Sequence, residues 1–452
     1  MCQAALDYRF GWRWLLPAVA GSIRMYGFSD EEVQFWYQIF PDARQETEDS
    51  HPAILLINAD QCATQAQPSL TDIQTAELVC VTGQRKSSGQ WRALLSKSFS
   101  RVQEYGLLPA NNPRVVVPLS SSRYAIAALR LHRPGRWIAR LGLWLARVLA
   151  MFGNFWLLRS RVLLIASRSS GFIPRGALQA GLPGRSGEQL VDYALYLGTP
   201  DDNRKTIVLP LGDSRLSMIL KVAETSRARA SLINEAEALS ALASTPLSAC
   251  VPALKDQVSA NSSLVLWLEY RLRLQTDQSN LDNAAASFLG QLMALNCKTE
   301  SLSQYLEDLP VTLDDNLPAD VADACCTLCE RLQDQAESGE RILLHRTHGD
   351  FAPWNCAWTS QGLFVFDWEE SRENGLALGD AFYYSVAPAL LVQRNASAIK
   401  TLQTVFGFAD QVVEAGGMKL DIRIYLALWL LPRAGYAKLY GELCVLLAQR
   451  WR

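Results

Sequence analysis

His348-Gly349-Asp350-Phe351-Ala352-Pro353-Trp354-Asn355, joined by Asp367-Trp368-Glu369 a short way downstream, decides how this chain is read. Asp350 sits on a short loop and Asn355 follows five positions later. Asp367 closes the apolar run Leu363-Phe364-Val365-Phe366, which reads as a buried strand delivering a carboxylate at its end. A carboxylate that accepts a proton from a hydroxyl, followed by an amide and a second carboxylate that hold Mg²⁺ on nucleotide phosphates, is the side-chain set that phosphoryl transfer uses. Magnesium takes oxygen ligands and keeps several waters, so two side chains and the phosphates suffice. Each piece alone would be an ordinary Asp-containing turn or strand end. Their order, with the strand between them, carries the information.

These residues resemble the signature of the aminoglycoside phosphotransferase and choline kinase family, relatives of the protein kinases: His-Gly-Asp, four spacers and Asn, then a strand ending in Asp. The resemblance implies a protein-kinase-like bilobal fold, α/β and α+β in class, with a small β-rich N-lobe and a helical C-lobe. It implies ATP, with GTP as the alternative, and Mg²⁺ as cofactors. It makes Asp350 the catalytic base, Asn355 and Asp367 the metal ligands, and His348 a brace for the loop.

Working upstream, such an enzyme needs a lysine on the phosphates and an acid to orient it. Leu216 to Val222 is a β-like run with one lysine, Lys221, and Ala228 to Leu242 has helical spacing with Glu235 and Glu237 inside. By resemblance Glu235, an acid four residues before a leucine, pairs with Lys221, and Glu237 is the fallback. Tyr193–Thr199 and Thr206–Leu211 read as two strands around a turn where the family covers the phosphates. Thr199, Asn203 or Lys205 could reach phosphate there, although a plain hairpin explains the segment equally well. The apolar strand Ser263–Tyr270 falls where the family has its hinge, so the resemblance assigns the backbone of Leu268, Glu269 and Tyr270 to the nucleotide base.

Downstream, apolar residues at one-face spacing predict helices over 280–296 and 319–337. Cys325, Cys326 and Cys329 cluster in the second; without a further ligand pair they read as helix-face thiols rather than a zinc site. Asp380 reads as a helix cap or a loop anchor. From Gly375 to the C-terminus five acids (Asp380, Asp410, Glu414, Asp421, Glu442) stand against eight bases (Arg394, Lys400, Lys419, Arg423, Arg433, Lys438, Arg450, Arg452). A polycationic antibiotic asks for an acidic lining, so this balance favours a neutral small molecule, a sugar or a lipid-linked glycan intermediate as hydroxyl acceptor. An aminoglycoside-type phosphotransferase and a nucleotide-binding pseudokinase remain the alternatives, the latter disfavoured by the complete Lys, Asp, Asn, Asp set.

The expected organisation is an accessory α/β domain over 1–170, an N-lobe over 171–275 and a C-lobe over 276–452. In the first part, short apolar runs at 53–57, 77–81, 114–117 and 162–165 read as strands, with a helical pattern from Trp91 to Tyr105 between them. No glycine-rich nucleotide fingerprint follows any of these strands. From Pro134, a favourable first helical residue, a basic amphipathic helix is expected over 134–156. Arg133, Arg136, Arg140 and Arg147 fall on one stripe, and Ile138, Leu145, Leu149, Phe152 and Trp156 opposite. Such a helix either packs its apolar face on its own domain or lies on a membrane surface. With 49% apolar and 19% charged residues and a net charge of −2, the chain reads as an ordinary globular protein without a nucleic-acid partner. Ten cysteines without a regular framework and no evident cleavable leader predict a reducing, cytoplasmic setting, with peripheral contact at the inner membrane face as the variant.

Overall fold

The computed structural model describes residues 9–16, 21–39, 52–62, 67–110, 113–130, 137–168, 190–198, 201–212, 218–260, 263–295, 297–309, 317–393 and 396–451. Two compact units emerge: Met1–Leu232 with Lys255–Tyr270, and Ile233–Leu254 with Arg271–Arg452. Helix Ser226–Leu242 is divided between them.

The first unit is built on one eleven-stranded sheet. Its strands are β1 (Ile23–Tyr26), β2 (Ile54–Asn58), β3 (Leu78–Gln84), β4 (Val102–Leu108), β5 (Val115–Pro118), β6 (Arg161–Ser167), β7 (Leu190–Tyr196), β8 (Lys205–Gly212), β9 (Met218–Ala223), β10 (Leu254–Ala260) and β11 (Ser263–Glu269). They lie in the order β1-β2-β3-β6-β4-β5-β7-β8-β9-β11-β10. β1, β2 and β3 are parallel, and the ladders from β3 to β11 are antiparallel. Strands from the first third and strands from the expected N-lobe therefore share one sheet, joined where Val115 and Val116 on β5 face Tyr196 and Leu195 on β7.

The sheet is covered on both faces, which is why its strands read as unbroken apolar runs. Alternation decides which residue goes to which side. Ile54, Leu56, Leu163, Ile165, Val116, Tyr193 and Leu195 enter one layer, and that same layer takes in Leu220, Val222, Val265 and Trp267. Phe10, Trp12, Phe35 and Trp36 cover it, with Trp36 5.2 Å from Phe10 and 5.3 Å from Trp12 between ring centres. The opposite face is covered in two patches. Leu55, Ile57, Val79 and Val81 meet helices Leu70–Thr75 and Arg85–Ser98, whereas Val115, Val117, Ala194 and Leu209 meet helices Ser122–Arg130 and Trp137–Met151.

Two expectations are corrected. The helical pattern from Trp91 to Tyr105 is split: helix Arg85–Ser98 stops at Ser98, and Val102–Leu108 is strand β4, held between β6 and β5. Sheet pairing overrides local periodicity there. The N-terminal layer is α/β as expected, with β1, β2 and β3 parallel and β6 antiparallel beside β3. The helix expected over 134–156 is seen over Trp137–Met151; Arg133, Pro134 and Arg136 lie outside the described residues. Of its expected apolar stripe, Leu145, Phe152 and Trp156 face outward instead of packing on their own domain, as the first of the two expected forms required. Arg147 turns inward and donates through Nη2 to the Leu129 carbonyl at 2.6 Å, while Leu141, Trp144 and Leu145 face outward.

The second unit holds the sheet β12-β13-β16 (Lys298–Ser301, Arg341–Thr347, Arg372–Leu376) and the hairpin β14–β15 (Cys356–Thr359, Gly362–Val365). Helices Gln278–Ala294, Ala319–Glu337, Gly379–Leu391, Ala398–Ala415, Ile422–Leu430 and Lys438–Arg450 pack with them. Helix Gln278–Ala294 starts where Asp277 caps the Asn280 N–H at 2.7 Å, and its Phe288 stacks on Phe351 at 5.9 Å. Cys325 is buried and engages Cys444, whereas Cys326 is exposed, so the clustered thiols diverge.

Helix Gln278–Ala294 can lie this close to helix Ala398–Ala415 because residue 290 has no side chain. A Cβ on Gly290 would sit 2.6 Å from the Gly416 nitrogen and 2.8 Å from the Ala415 carbonyl carbon. Gly290→Val is expected to cost about 1–3 kcal/mol through overpacking, measured as a lower midpoint in denaturant-induced unfolding.

Candidate functional site

β13 ends at Thr347, and the chain then makes the sharp His348-Gly349-Asp350 turn. Gly349 adopts φ +85°, and a Cβ there would lie 2.1 Å from the Glu370 carbonyl oxygen, so only glycine fits. Buried Asp380, on the first turn of helix Gly379–Leu391, fixes the turn. Its Oδ2 accepts the His348 N–H at 2.6 Å and its Oδ1 accepts the Gly349 N–H at 2.9 Å. Of the two roles expected for Asp380, it is thus the loop anchor; the helix N-cap position belongs to Leu378. Burial pushes the Asp380 carboxyl up to about 6, even though both backbone hydrogen bonds and hence the charged form are favoured by the loop.

His348 is fully buried. Its Nε2 lies 3.0 Å from the Phe366 carbonyl, which can only accept, and its Nδ1 accepts the Asp350 N–H at 3.3 Å. The ring therefore carries its proton on Nε2 and ties the turn to the strand end before Asp367. Rings close around it: Trp368 lies 4.7 Å and Phe351 5.8 Å away between centres.

Asp350 and Asn355 meet directly. The Asn355 Nδ2 donates to both Asp350 Oδ2 and the Asp350 carbonyl, each at 2.9 Å. That leaves the amide oxygen of Asn355 as an acceptor facing away from the carboxylate it holds. The short 3-10 turn Pro353–Asn355 and the hydrogen bond from Phe366 N–H to the Asn355 carbonyl, 3.1 Å, fix the amide beside β15. Tyr383, one turn along the helix of Asp380, adds a hydroxyl hydrogen bond to the Asp350 carboxylate. Burial raises the Asp350 carboxyl; the charges of Asp367 and Glu370 push the same way, while the Tyr383 and Asn355 hydrogen bonds oppose the rise.

Asp367 does not extend β15 but turns out of it, in the left-handed region at φ 74° and ψ 56°. A non-glycine residue held there is strained and is usually over-determined by its surroundings. Here Trp368 pins one side through Nε1 to the Val365 carbonyl at 3.1 Å, and Ser371 pins the other through its hydroxyl to the Thr347 carbonyl at 2.8 Å. Asn234 holds the segment from helix Ser226–Leu242, donating to the Glu369 and Ser371 carbonyls at 2.8 and 2.9 Å.

The second unit thus brings together His348, Asp350, Asn355 and Asp367. Glu235 belongs to the same unit and is fully buried next to Asn234. Lys221 lies in the first unit, buried on β9 opposite Ile207 and Leu266, and Leu268 and Glu269 end β11 with Tyr270 just beyond it. Asn203 and Lys205 flank the start of β8, and Asn203 accepts from the Ser231 hydroxyl at 2.9 Å. Thr199 lies outside the described residues. The sequence reading missed Tyr383 and Asn234. Tyr383, three residues past Asp380 and so one turn along the same helix, could have been found from that spacing; nothing in the sequence marks Asn234.

Residues 202–374 match the family model described as the phosphotransferase enzyme family. Solved structures similar to the chain include the aminoglycoside phosphotransferase APH(2'')-Ib with ADP, 16% identical over 57% of this chain and 93% of that one at a TM-score of 0.37. Another is APH(3'')-Id from Streptomyces rimosus with ADP and streptomycin, 16% identical over 57% and 96% at 0.34. A third is the amicoumacin kinase hAmiN with AMP-PNP and Ca²⁺, 13% identical over 57% and 84% at 0.34. No curated protein matches the chain.

Asp380→Ala would leave two buried N–H groups without acceptors, a loss of about 1–3 kcal/mol for each orphaned donor. The expected result is a lower melting temperature, and Asp380→Asn, which keeps one acceptor oxygen, should fall between.

Proposed function

We propose that this chain is an ATP- and Mg²⁺-dependent kinase that moves the γ-phosphate to a hydroxyl of a neutral small molecule, a sugar or a lipid-linked glycan intermediate. The observation that carries the reading is the grouping of Asp350, Asn355 and Asp367 on one braced loop pair, with Asp350 held between Asn355 and Tyr383.

Asp350 is the group that orients the acceptor hydroxyl and takes its proton. Its carboxylate is aimed by the Asn355 amide and the Tyr383 hydroxyl, so little reorganisation is needed when the hydroxyl arrives. Asn355 and Asp367 are the metal ligands. The donor set fits Mg²⁺: it is all oxygen, the Asn355 amide group is turned so that its oxygen stays available, and the carboxylates of Asp350 and Asp367 repel each other in a way a cation relieves. The metal, when bound with nucleotide, supplies neutralisation of phosphate charge. Lys221 and Glu235 are assigned to the α- and β-phosphates and Leu268, Glu269 and Tyr270 to the base on the family resemblance. The burial of Lys221 and Glu235 supports a working rather than a solvated role, since buried charges are rarely kept without a counter-charge. The excess of bases over acids from Gly375 onward supports a neutral acceptor over a polycationic antibiotic.

Asp367→Ala should abolish Mg²⁺-dependent ATP binding, whereas Asp350→Ala should bind ATP normally and lose turnover by roughly 10²–10⁴-fold. Isothermal titration and a coupled ADP-release assay across sugar and lipid-linked acceptors read both. Unchanged turnover in Asp350→Ala removes the base assignment, and failure to bind either ATP or GTP with Mg²⁺ removes the kinase reading.

Because Asp350 is raised above the ordinary carboxylate range, kcat/KM should climb with pH along an acid limb displaced upward from that range, as the base loses its proton. Tyr383→Phe deletes a hydrogen bond that favours the charged form. Its acid limb should therefore move to still higher pH, which a pH–rate profile of the two proteins checks.

A further inference from the structure

Helix Trp137–Met151 presents an apolar stripe to the outside. Leu141 is 54% exposed, Trp144 57% and Leu145 42%; just past the helix end, Phe152 is 82% and Trp156 57% exposed. Leu141, Trp144, Leu145 and Phe152 recur at the three- and four-residue steps that define one helix face. The other face is already used: Ala146 and Ala150 are buried against Val115, Val117 and Ala125. Leu143 packs half-buried beside them, whereas Leu141, Trp144 and Leu145 stay in water, a larger exposed apolar surface than a helix stabilised only by its own domain would show. Contiguous exposed apolar patches of this kind mark interaction surfaces.

The charge around the stripe identifies what it meets. No aspartate or glutamate occurs within the helix Trp137–Met151 or between it and Trp156. Arg140 is exposed on the helix, and the Arg85 guanidinium lies 5.9 Å from the centre of the Trp156 ring. Arginines beside tryptophan, phenylalanine and leucine form the mixed surface that sits at a lipid headgroup boundary, where the rings enter the interface and the guanidinium groups meet phosphate. A nucleic acid would use the arginines but leave the large apolar side chains without a role. Among the described residues no helix is long and apolar enough to cross a membrane, and this one has 15 residues against the roughly 20 that a span requires.

We propose that helix Trp137–Met151 with Phe152 and Trp156 seats this chain on the surface of a bilayer rich in anionic phospholipid. The helix lies in the plane of the interface, its Leu141–Trp144–Leu145–Phe152 stripe entering the acyl boundary. The inference is independent of the phosphotransfer reading, because it requires neither nucleotide nor acceptor.

The test is co-sedimentation of the full chain with vesicles of phosphatidylcholine alone and of phosphatidylcholine with phosphatidylglycerol, at low and high salt. The expected result is binding to the anionic vesicles that weakens as salt rises. The combined variant Leu141→Ser/Trp144→Ser/Phe152→Ser should bind at least roughly tenfold more weakly, and with these side chains already in water its melting temperature should match the parent. No binding to anionic vesicles at low salt overturns the proposal, as does binding that the combined variant retains in full. It is equally overturned if the parent is a dimer that the variant converts to monomer while vesicles bind neither, since the stripe is then a subunit interface.

Discussion

One buried carboxylate, that of Asp380, sets the geometry on which the candidate site depends. The His348-Gly349-Asp350 turn points two consecutive N–H groups into a space from which water is excluded, and such donors are costly unless something accepts them. Asp380 accepts both, one on each oxygen. With the turn fixed, His348 reaches the Phe366 carbonyl, and Asp350 comes within range of Asn355 and Tyr383. Burial penalises the charge on Asp380, and the two hydrogen bonds partly offset the penalty. An apolar residue at 380 would avoid that desolvation but would leave the turn unsupported.

A second layer of constraint lies under Asp367. Its left-handed backbone is held by Trp368 within its own segment, by Ser371 against β13 and by Asn234 from the helix that also carries Glu235. Three independent anchors on a strained residue make its carboxylate position a fixed property of the fold rather than one of several loop conformers. Burial raises the Asp350 carboxyl, and the same network places Asp367 and Glu370 near it, where their charges push the same way.

The first unit shows a different economy. A short β-rich lobe exposes sheet edges, and edge strands invite unwanted pairing. Here β7 pairs with β5, so the sheet continues through β4 and β6 into a parallel layer, and a single apolar layer runs from Trp36 to Trp267. Arg13, from the first of these segments, reaches Glu224 just after the Lys221 strand at 2.5 Å. Lys221 consequently sits in a sheet reinforced well beyond the strands of residues 202–270. On the other side of that sheet, helix Ser122–Arg130 covers β5 and β7, and helix Trp137–Met151 packs on it through Ala146 and Ala150 while Leu141, Trp144 and Leu145 stay outside.

The sequence by itself determined the candidate site residues and most elements. The His348–Asn355 spacing and the apolar run into Asp367 could be read because the candidate set is local in the chain, and helices such as Ala319–Glu337 were visible because one face is apolar at helical period. Only the tertiary structure decided matters that rest on partners distant in sequence. β4 hides in a helical pattern because its identity comes from pairing with β6, more than fifty residues away. Asp380 could be a cap or an anchor until the loop it serves was folded against it, and Asn234 looked like any helix polar residue until Glu369 and Ser371 arrived beside it. Helical period revealed that the Trp137 helix has two faces, but which one turns inward is decided by its packing in the cluster formed with helix Ser122–Arg130, where Ala146 and Ala150 are buried.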